Sequence, residues 1–249
     1  MKIVSWNVNG LRARLSDGTL IKVLSLDADV YCFQELKLSD LSIFNLDMFS
    51  KYHVSAKLAN KKGYSGVCIL SKEFPKGIID TCGYKIADDE GRYLRVDFAD
   101  NLSIVSLYMP HGKRDKSDIL YKLSFGNYLQ EYLKDDIETI ICTDFNVAHK
   151  KIDLARPAQN KNNVMFTLEE RNLIDDLISS GYVDAFRSKE EAGGFYTWLP
   201  FSFDAYERNL GWRIDYFFVP EKIAKNLKFV SILREIRGSD HVPIIMELL

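Results

Sequence analysis

The residues of this chain whose types could do chemistry fall, one after another, at the ends of extended runs. Asn7 closes the first run and leads into Val8-Asn9-Gly10, and Glu35 follows Gln34 at the end of the second. Tyr108 stands just before Pro110 and His111, Asp144-Phe145-Asn146 ends a later run, and Asp215 lies in Trp212-Arg213-Ile214-Asp215. The last run is preceded by Gly238-Ser239-Asp240-His241, with Pro243 biasing Val242 toward extended backbone. Carboxylates, amides, a phenol and an imidazole can bind a hard cation, move a proton or contact phosphate. Each alone has a plainer reading: Asn7 as a turn residue, Glu35 as a surface charge, Asp144 as a loop cap, Asp240-His241 as a surface turn. Six at equivalent places make coincidence a poor account, because a sheet gathers the loops at one end into a single cleft.

What must position them is a set of strands. Runs rich in Val, Ile, Tyr, Phe and Cys, bounded by Gly, Asn, Asp or Pro, predict strands over 2–8, 29–34, 53–58, 66–71, 93–99, 102–108, 138–143, 213–219, 228–233 and 242–249. Asp100-Asn101 reads as a hairpin turn. Helical periodicity predicts helices over 117–134, capped by Ser117, and over 20–26. A third, over 167–180, opens on a capping box begun by Thr167 and ends before Gly181. Strands outnumber helices, and hairpins mix with helical crossovers, so the fold expected is an α/β layered domain with mixed sheets. Without repeats or linkers, residues 1–249 read as one domain. Two stretches, 147–166 and 197–212, lack a regular period, and ordered loops of that length are usually functional.

Composition narrows the class. The 249 residues are 47% hydrophobic and 27% charged, the balance of a soluble globular protein, and no apolar run is long enough to span a bilayer. The strand-like Ile3-Val4-Ser5-Trp6 directly after Lys2 does not read as a signal peptide, so an intracellular protein is expected. Cys32, Cys68 and Cys142 sit inside apolar runs and, with Cys82, have no CxxC spacing, which favours buried reduced thiols over zinc or disulfides. A net charge of −2 leaves any nucleic-acid contact to local basic loops.

Six segments carry a resemblance: Trp6-Asn7-Val8-Asn9-Gly10-Leu11-Arg12, Gln34-Glu35-Leu36-Lys37, Gly63-Tyr64-Ser65-Gly66, Asp144-Phe145-Asn146-Val147-Ala148-His149, Gly211-Trp212-Arg213-Ile214-Asp215-Tyr216 and Gly238-Ser239-Asp240-His241. In this order, along the whole chain, they resemble the exonuclease III family of apurinic/apyrimidinic endonucleases, within the endonuclease/exonuclease/phosphatase superfamily. The resemblance implies a four-layer α/β sandwich, two packed mixed β-sheets flanked by helices. It implies Asn7 and Glu35 as ligands of Mg²⁺, with Mn²⁺ able to substitute, and Asp240, Asp144, Asn146 and His241 around the same centre. By similarity Asp144 deprotonates the attacking water, Asn146 fixes water or phosphate, and His241, oriented by Asp215, contacts the phosphate. Tyr108 is expected at the phosphate or leaving group, and Asp240 at the network or a second metal. Arg12, Asn160, Asn163, Trp198, Trp212 and Ile214 are the expected substrate contacts, the aromatics lining a pocket for a flipped, baseless sugar. Lys37, Lys61, Lys62, Arg114, Lys150, Lys151, Arg156 and Lys161 are expected on the loops facing a duplex backbone.

The implied activity is cleavage of duplex DNA 5′ to abasic sites, with trimming of blocked 3′ ends as exonuclease or 3′-phosphatase. The implied setting is a monomer in the cytoplasm, at the nucleoid of a prokaryote. Three departures bear on this. His111 stands where the family has Asn or Gln, Thr143 replaces a glycine before Asp144, and Trp198-Leu199-Pro200-Phe201 replaces a stretch with a second Trp. The alternatives are an exonuclease with weak abasic-site activity, or a superfamily phosphodiesterase acting on a non-DNA ester. A catalytically silent DNA-binding module is a further rival, but it would have lost some of Asn7, Glu35, Asp144, Asn146, Asp215 and His241.

Overall fold

Side-chain parity organises the molecule. A computed structural model describes residues 1–134, 138–202 and 204–249. Its strands are β1 (Lys2–Asn7), β2 (Val30–Gln34), β3 (His53–Lys57), β4 (Val67–Ser71), β5 (Gly77–Ile79), β6 (Tyr93–Asp97), β7 (Ser103–Tyr108), β8 (Thr139–Asp144), β9 (Tyr182–Asp184), β10 (Asp215–Pro220), β11 (Leu227–Ile232) and β12 (Ile244–Leu248). They form two six-stranded sheets, ordered β11-β12-β1-β2-β4-β3 and β5-β6-β7-β8-β10-β9. Each is mixed: β1 with β2 and β7 with β8 pair parallel, their neighbours antiparallel. Because side chains alternate along a strand, Ile3, Val30, Cys32, Ile69 and Met246 of the first sheet meet Leu94, Ile104, Ile140, Cys142 and Phe217 of the second in one apolar core.

The opposite faces carry the helices. Val4, Trp6, Tyr31 and Phe33 pack with Leu11 of α1 (Leu11–Ser16) and Leu20 and Val23 of α2 (Thr19–Leu24). On the second sheet, Val105, Leu107, Ile141, Tyr216 and Phe218 pack with Ala87 of α3 (Lys85–Asp89), Phe125 and Leu129 of α4 (Ile119–Leu133), and Leu173, Ile174 and Leu177 of α5 (Leu168–Ser179). The short α6 (Glu221–Ala224) follows β10. The expected four-layer α/β sandwich is the fold observed. Strands buried on both faces read as continuous apolar runs, which made them legible. Each fully buried Leu, Ile or Phe contributes about 1.5–3 kcal/mol.

Local expectations divide. Thr167 caps α5 as expected, its hydroxyl accepting from the Glu170 N–H while the Glu170 carboxylate accepts from the Thr167 N–H. Ser117 does not cap α4, which begins at Ile119 with Asp118 preceding it; the Ser117 N–H is instead held by the Asp115 carboxylate. The helix expected over 20–26 is Thr19–Leu24. Asp100-Asn101 lies in a single 3-10 turn, Ala99–Asn101, joining two antiparallel strands as expected. Within 197–212, Phe203 lies outside the described residues. Among the described residues the four cysteines are free and buried, and no helix is long and apolar enough to cross a membrane.

Candidate active site

The same parity that builds the core aims the polar residues. Asn7 and Gln34 continue the inward faces of β1 and β2, and Tyr108, Asp144 and Asp215 those of β7, β8 and β10. Register does the rest: Asn7 lies opposite Gln34, Tyr108 opposite Asp144, and Asp144 opposite Asp215. Five polar side chains thus converge where the inter-sheet core ends.

Asp144 is at the centre and 1% exposed. One carboxylate oxygen accepts from the Asn146 backbone N–H at 3.0 Å. The other accepts from Asn7 Nδ2 at 2.7 Å and Asn146 Nδ2 at 3.3 Å, and lies 3.8 Å from His241 Nε2. Burial pushes the Asp144 carboxyl up to about 7, against the pull of His241. His241 Nδ1 is 2.9 Å from Asp215 Oδ2. Burial disfavours its charge, but Asp215 and Asp144 outweigh burial and raise it to about 10. The imidazole therefore stays protonated near neutrality, with Asp215 fixing its ring.

Glu35 continues from β2 with φ 54°, an uncommon conformation for a long side chain and one that turns its carboxylate toward Asn7. It accepts from Asn7 Nδ2 at 3.2 Å and from the Tyr108 hydroxyl, and pairs with Lys37 Nζ at 2.7 Å. Burial works against its charge, yet Lys37, Tyr108 and Asn7 hold its carboxyl below the usual range. Asn146, also at positive φ, anchors its amide on the Met109 carbonyl at 3.0 Å. Asp240 is set apart, accepting from Asn9 Nδ2 at 2.8 Å and Trp198 Nε1 at 2.9 Å.

The donor set fits a hard divalent cation. Among the described residues, ligand oxygens of Asp144 and Asp215 lie within 4.8 Å of each other and of His241, whose protonated ring serves as a donor and not as a ligand, and Asp215 Oδ1 is buried without a hydrogen-bond partner. Glu35 and Asn7 adjoin this group through the Asn7 amide, so one oxygen-rich patch runs from Glu35 to Asp215. Asp240 lies outside the tight group and serves the Trp198 loop.

Loops supply the neighbouring wall. A cleft of ≈ 450 Å³ is lined by His111, Arg114, Asn160, Asn163, Trp198 and Trp212, among others. Trp198 and Trp212 meet edge to face at 6.4 Å, and Ile214 is buried in the apolar cluster on which both pack. Asn163 Nδ2 donates to Asn160 Oδ1 at 3.0 Å, so these two expected contacts act as a unit. Trp198 bridges to both Trp212 and His241, and the Thr197 hydroxyl accepts from the Ile214 and Asp215 N–H groups, tying this wall to the buried polar group. Arg12 is not drawn in: it stays exposed, 3.5 Å from Asp40.

Sequence reasoning passed over Arg92 and Lys122. The Arg92 guanidinium lies 4.7 Å from the Tyr108 ring centroid and donates to the Tyr108 carbonyl, bracing the phenol from behind. Arg92 opens no motif and follows Gly91 as an ordinary charge, so only its position one residue before the inward-facing run of β6 marks it. Thr143, where a glycine was expected, is fully buried with no partner for its hydroxyl among the described residues. His111 lines the cleft, its imidazole held below its ordinary value by burial and Lys122.

Known proteins are similar to this chain in sequence and in fold. Residues 4–241 match the Endonuclease/Exonuclease/phosphatase family. An exodeoxyribonuclease of Bacillus subtilis is 38% identical over 250 residues, covering 98% of each chain. A DNA-(apurinic or apyrimidinic site) endonuclease of Dictyostelium discoideum is 35% identical over 255 residues, 98% of this chain and 69% of its own. Among solved structures, the 3′-5′ exonuclease NExo of Neisseria meningitidis superposes with a TM-score of 0.90 at 28% identity, covering 100% of this chain and 99% of its own. NExo has also been solved as a 3′ phosphatase bound to a product DNA hairpin. With its strand-end carboxylates, amides and imidazole in this register, the chain belongs to the endonuclease/exonuclease/phosphatase family, in the branch of exodeoxyribonucleases and abasic-site endonucleases.

Proposed function

We propose that this DNA-repair nuclease cleaves duplex DNA on the 5′ side of an abasic site, leaving a 3′-hydroxyl, and also processes blocked 3′ ends. The observation that carries the reading is the junction at Trp198: the aromatic cleft wall bridges directly to His241, beside Asp144. A cleft walled by two tryptophans and two asparagines suits a sugar without a base, which has little stacking to lose on leaving the duplex.

Glu35 and Asn7 are the residues proposed to hold Mg²⁺ or Mn²⁺, with Asp144, Asn146, Asp215 and His241 beside them. The chemistry supplied by the bound cation is neutralisation of phosphate charge and stabilisation of the leaving oxygen. Asp144 takes the proton of the attacking water, and a carboxyl near 7 suits that work at neutral pH. Asn146 orients the water or the phosphate from the same turn. His241, kept cationic by Asp215, donates to a non-bridging oxygen as charge builds there. Tyr108, braced by Arg92, faces the same phosphate, and Asp240 keeps Trp198 in place. We further propose that the chain works as one catalytic domain and a monomer on double-stranded DNA, in the cytoplasm at the nucleoid.

The test is incubation of a duplex carrying one abasic site with Mg²⁺ or with EDTA, beside duplexes with a recessed 3′ end or a 3′-phosphate. Incision at the abasic site with metal and none in EDTA is the expected result. No cleavage of any duplex with metal would overturn the reading. Processing of 3′ ends alone would move the assignment to an exonuclease with weak abasic-site activity, which the changed Trp198-Leu199-Pro200-Phe201 stretch and the likeness to NExo favour as the second reading.

A further inference from the structure

Lys122 occupies a place where α4 otherwise presents apolar side chains: its buried face runs Lys122, Phe125, Gly126, Leu129 and Leu133. Neither Lys122 nor its partner Glu170, 2.6 Å away, exposes any side-chain surface. An apolar pair of similar volume is often at least as stable at such a position, so the charges need a reason other than holding helices together. Their hydrogen bonds supply one. Lys122 Nζ donates to the Asn146 carbonyl at 2.7 Å and the His111 carbonyl at 3.3 Å. Glu170 accepts from the Met165 N–H at 2.9 Å and the Thr167 N–H at 3.0 Å. Asn146 and Met165 both sit at positive φ, conformations that need outside support. One ion pair therefore ties together the turn bearing Asp144 and Asn146, the loop after Tyr108, and the end of the loop bearing Asn160 and Asn163.

We propose that Lys122–Glu170 is a positioning pair that holds the catalytic turn in register with the substrate-gripping loop. It touches neither substrate nor reacting atoms and acts through Asn146 and Met165. The inference rests on the nuclease reading above, and its test separates the two.

The full chain is used throughout. The readouts are single-turnover incision of a duplex with one tetrahydrofuran abasic analogue in Mg²⁺, duplex affinity by fluorescence anisotropy, thermal melting, and amide hydrogen exchange at Asn146. In the double variant Lys122→Met with Glu170→Gln, incision is expected to slow ~10- to 100-fold, the scale of an ångström-sized misplacement. Affinity should change less than about threefold, since exposed lysines and arginines supply most phosphate contact. The melting temperature should hold within about 4 °C, and the Asn146 amide should exchange faster. A folded double variant that incises at the wild-type rate overturns the proposal. Glu170→Gln alone, which keeps the shape of the side chain and one acceptor oxygen but puts an amide donor in place of the other, should give a smaller loss in the same direction; failure of both variants to fold would also overturn it, since the pair would then be holding the fold. If the wild-type protein cuts no abasic duplex, the nuclease reading fails, yet exchange still reports the coupling, and unchanged protection of Asn146 would sink the pair's role independently.

Discussion

The two halves of the site are built differently. The half proposed to be catalytic rides on strands: Asn7, Tyr108, Asp144 and Asp215 sit on inward faces at strand ends, and ladder register fixes their neighbours. The half proposed to hold substrate rides on loops. Asn160, Asn163, Trp198 and Trp212 are held by single bridges, a few backbone hydrogen bonds and one apolar cluster. A strand residue cannot change side without slipping the whole register, whereas a loop wall can be rebuilt locally. The difference teaches where change is tolerated: the residues proposed to carry the chemistry are anchored in two sheets, whereas segments proposed to set selectivity, such as Trp198-Leu199-Pro200-Phe201, can vary without disturbing them.

The hardest blow to the strand-borne half should be Asp144→Asn. It keeps the shape and hydrogen-bonding size of the side chain but removes the proton acceptor, so single-turnover incision should fall about 10³-fold. Duplex affinity, measured by anisotropy, should stay close to wild type because the cleft wall is untouched. Chelation of metal should abolish cleavage in both proteins. Near-normal turnover by the variant would remove Asp144 from the role of base.

How much of this was readable beforehand follows the same division. Strand-end residues were legible because continuous apolar runs announce strands, and polar residues at their ends are few. The three-residue strands β5 and β9 escaped because they are shorter than any window of alternation. Helix α1 escaped because it buries only Leu11, leaving no 3.6-residue stripe to read. Lys122 was invisible for an instructive reason. A lysine in a helical pattern reads as a solvated face, and only the tertiary arrangement reveals that it lies within the apolar stripe. Asp240, expected at the network or a second metal, accepts from Asn9 and Trp198, a partnership between segments more than forty residues apart that no spacing encodes.

The loop-borne half has its own buried anchor, and acid should find it. Arg213 Nε donates to Asp153 at 2.8 Å and Arg187 Nε to the same oxygen at 2.9 Å, while the Arg213 N–H donates to the Asp153 carbonyl at 2.7 Å. This brace lies directly behind Trp212. Burial opposes charge on Asp153, but the two guanidinium groups outweigh it and hold its carboxyl below the ordinary range. Its stabilising effect is therefore complete above the unfolded value of about 4 and is lost as pH falls through the lower folded value. Asp153→Asn should cost about 3–5 kcal/mol at neutral pH. Its deficit relative to wild type, read by denaturant unfolding, should shrink as pH drops below about 4. A deficit independent of pH would mean that the brace is not electrostatic.

Trp212→Phe sharpens the comparison at the cleft itself. The smaller ring keeps an apolar contact with Phe166 and Trp198 but withdraws one wall of the cleft. Abasic-site incision should fall about tenfold, the scale of one to two kilocalories of lost packing, while digestion of a recessed 3′ end changes less. Equal losses on the two substrates would show that Trp212 serves the catalytic half after all.

The mildest change tests whether Arg12 belongs to either half. It is exposed and shares its charge with Asp40 at 3.5 Å and with the Ser42 hydroxyl at 3.3 Å, away from the buried group. If it meets the duplex, it does so as a phosphate contact, which carries affinity without lesion information. Arg12→Ala should then weaken binding to damaged and undamaged duplexes by the same small factor. The slope of log affinity against log salt should fall by about one, as expected for a single lost phosphate contact. A change confined to abasic DNA would place Arg12 in the substrate wall. An unchanged slope would leave it a surface residue paired with Asp40, and the half of the site that recognises damage would then lie wholly in the cleft between Asn160 and Trp212.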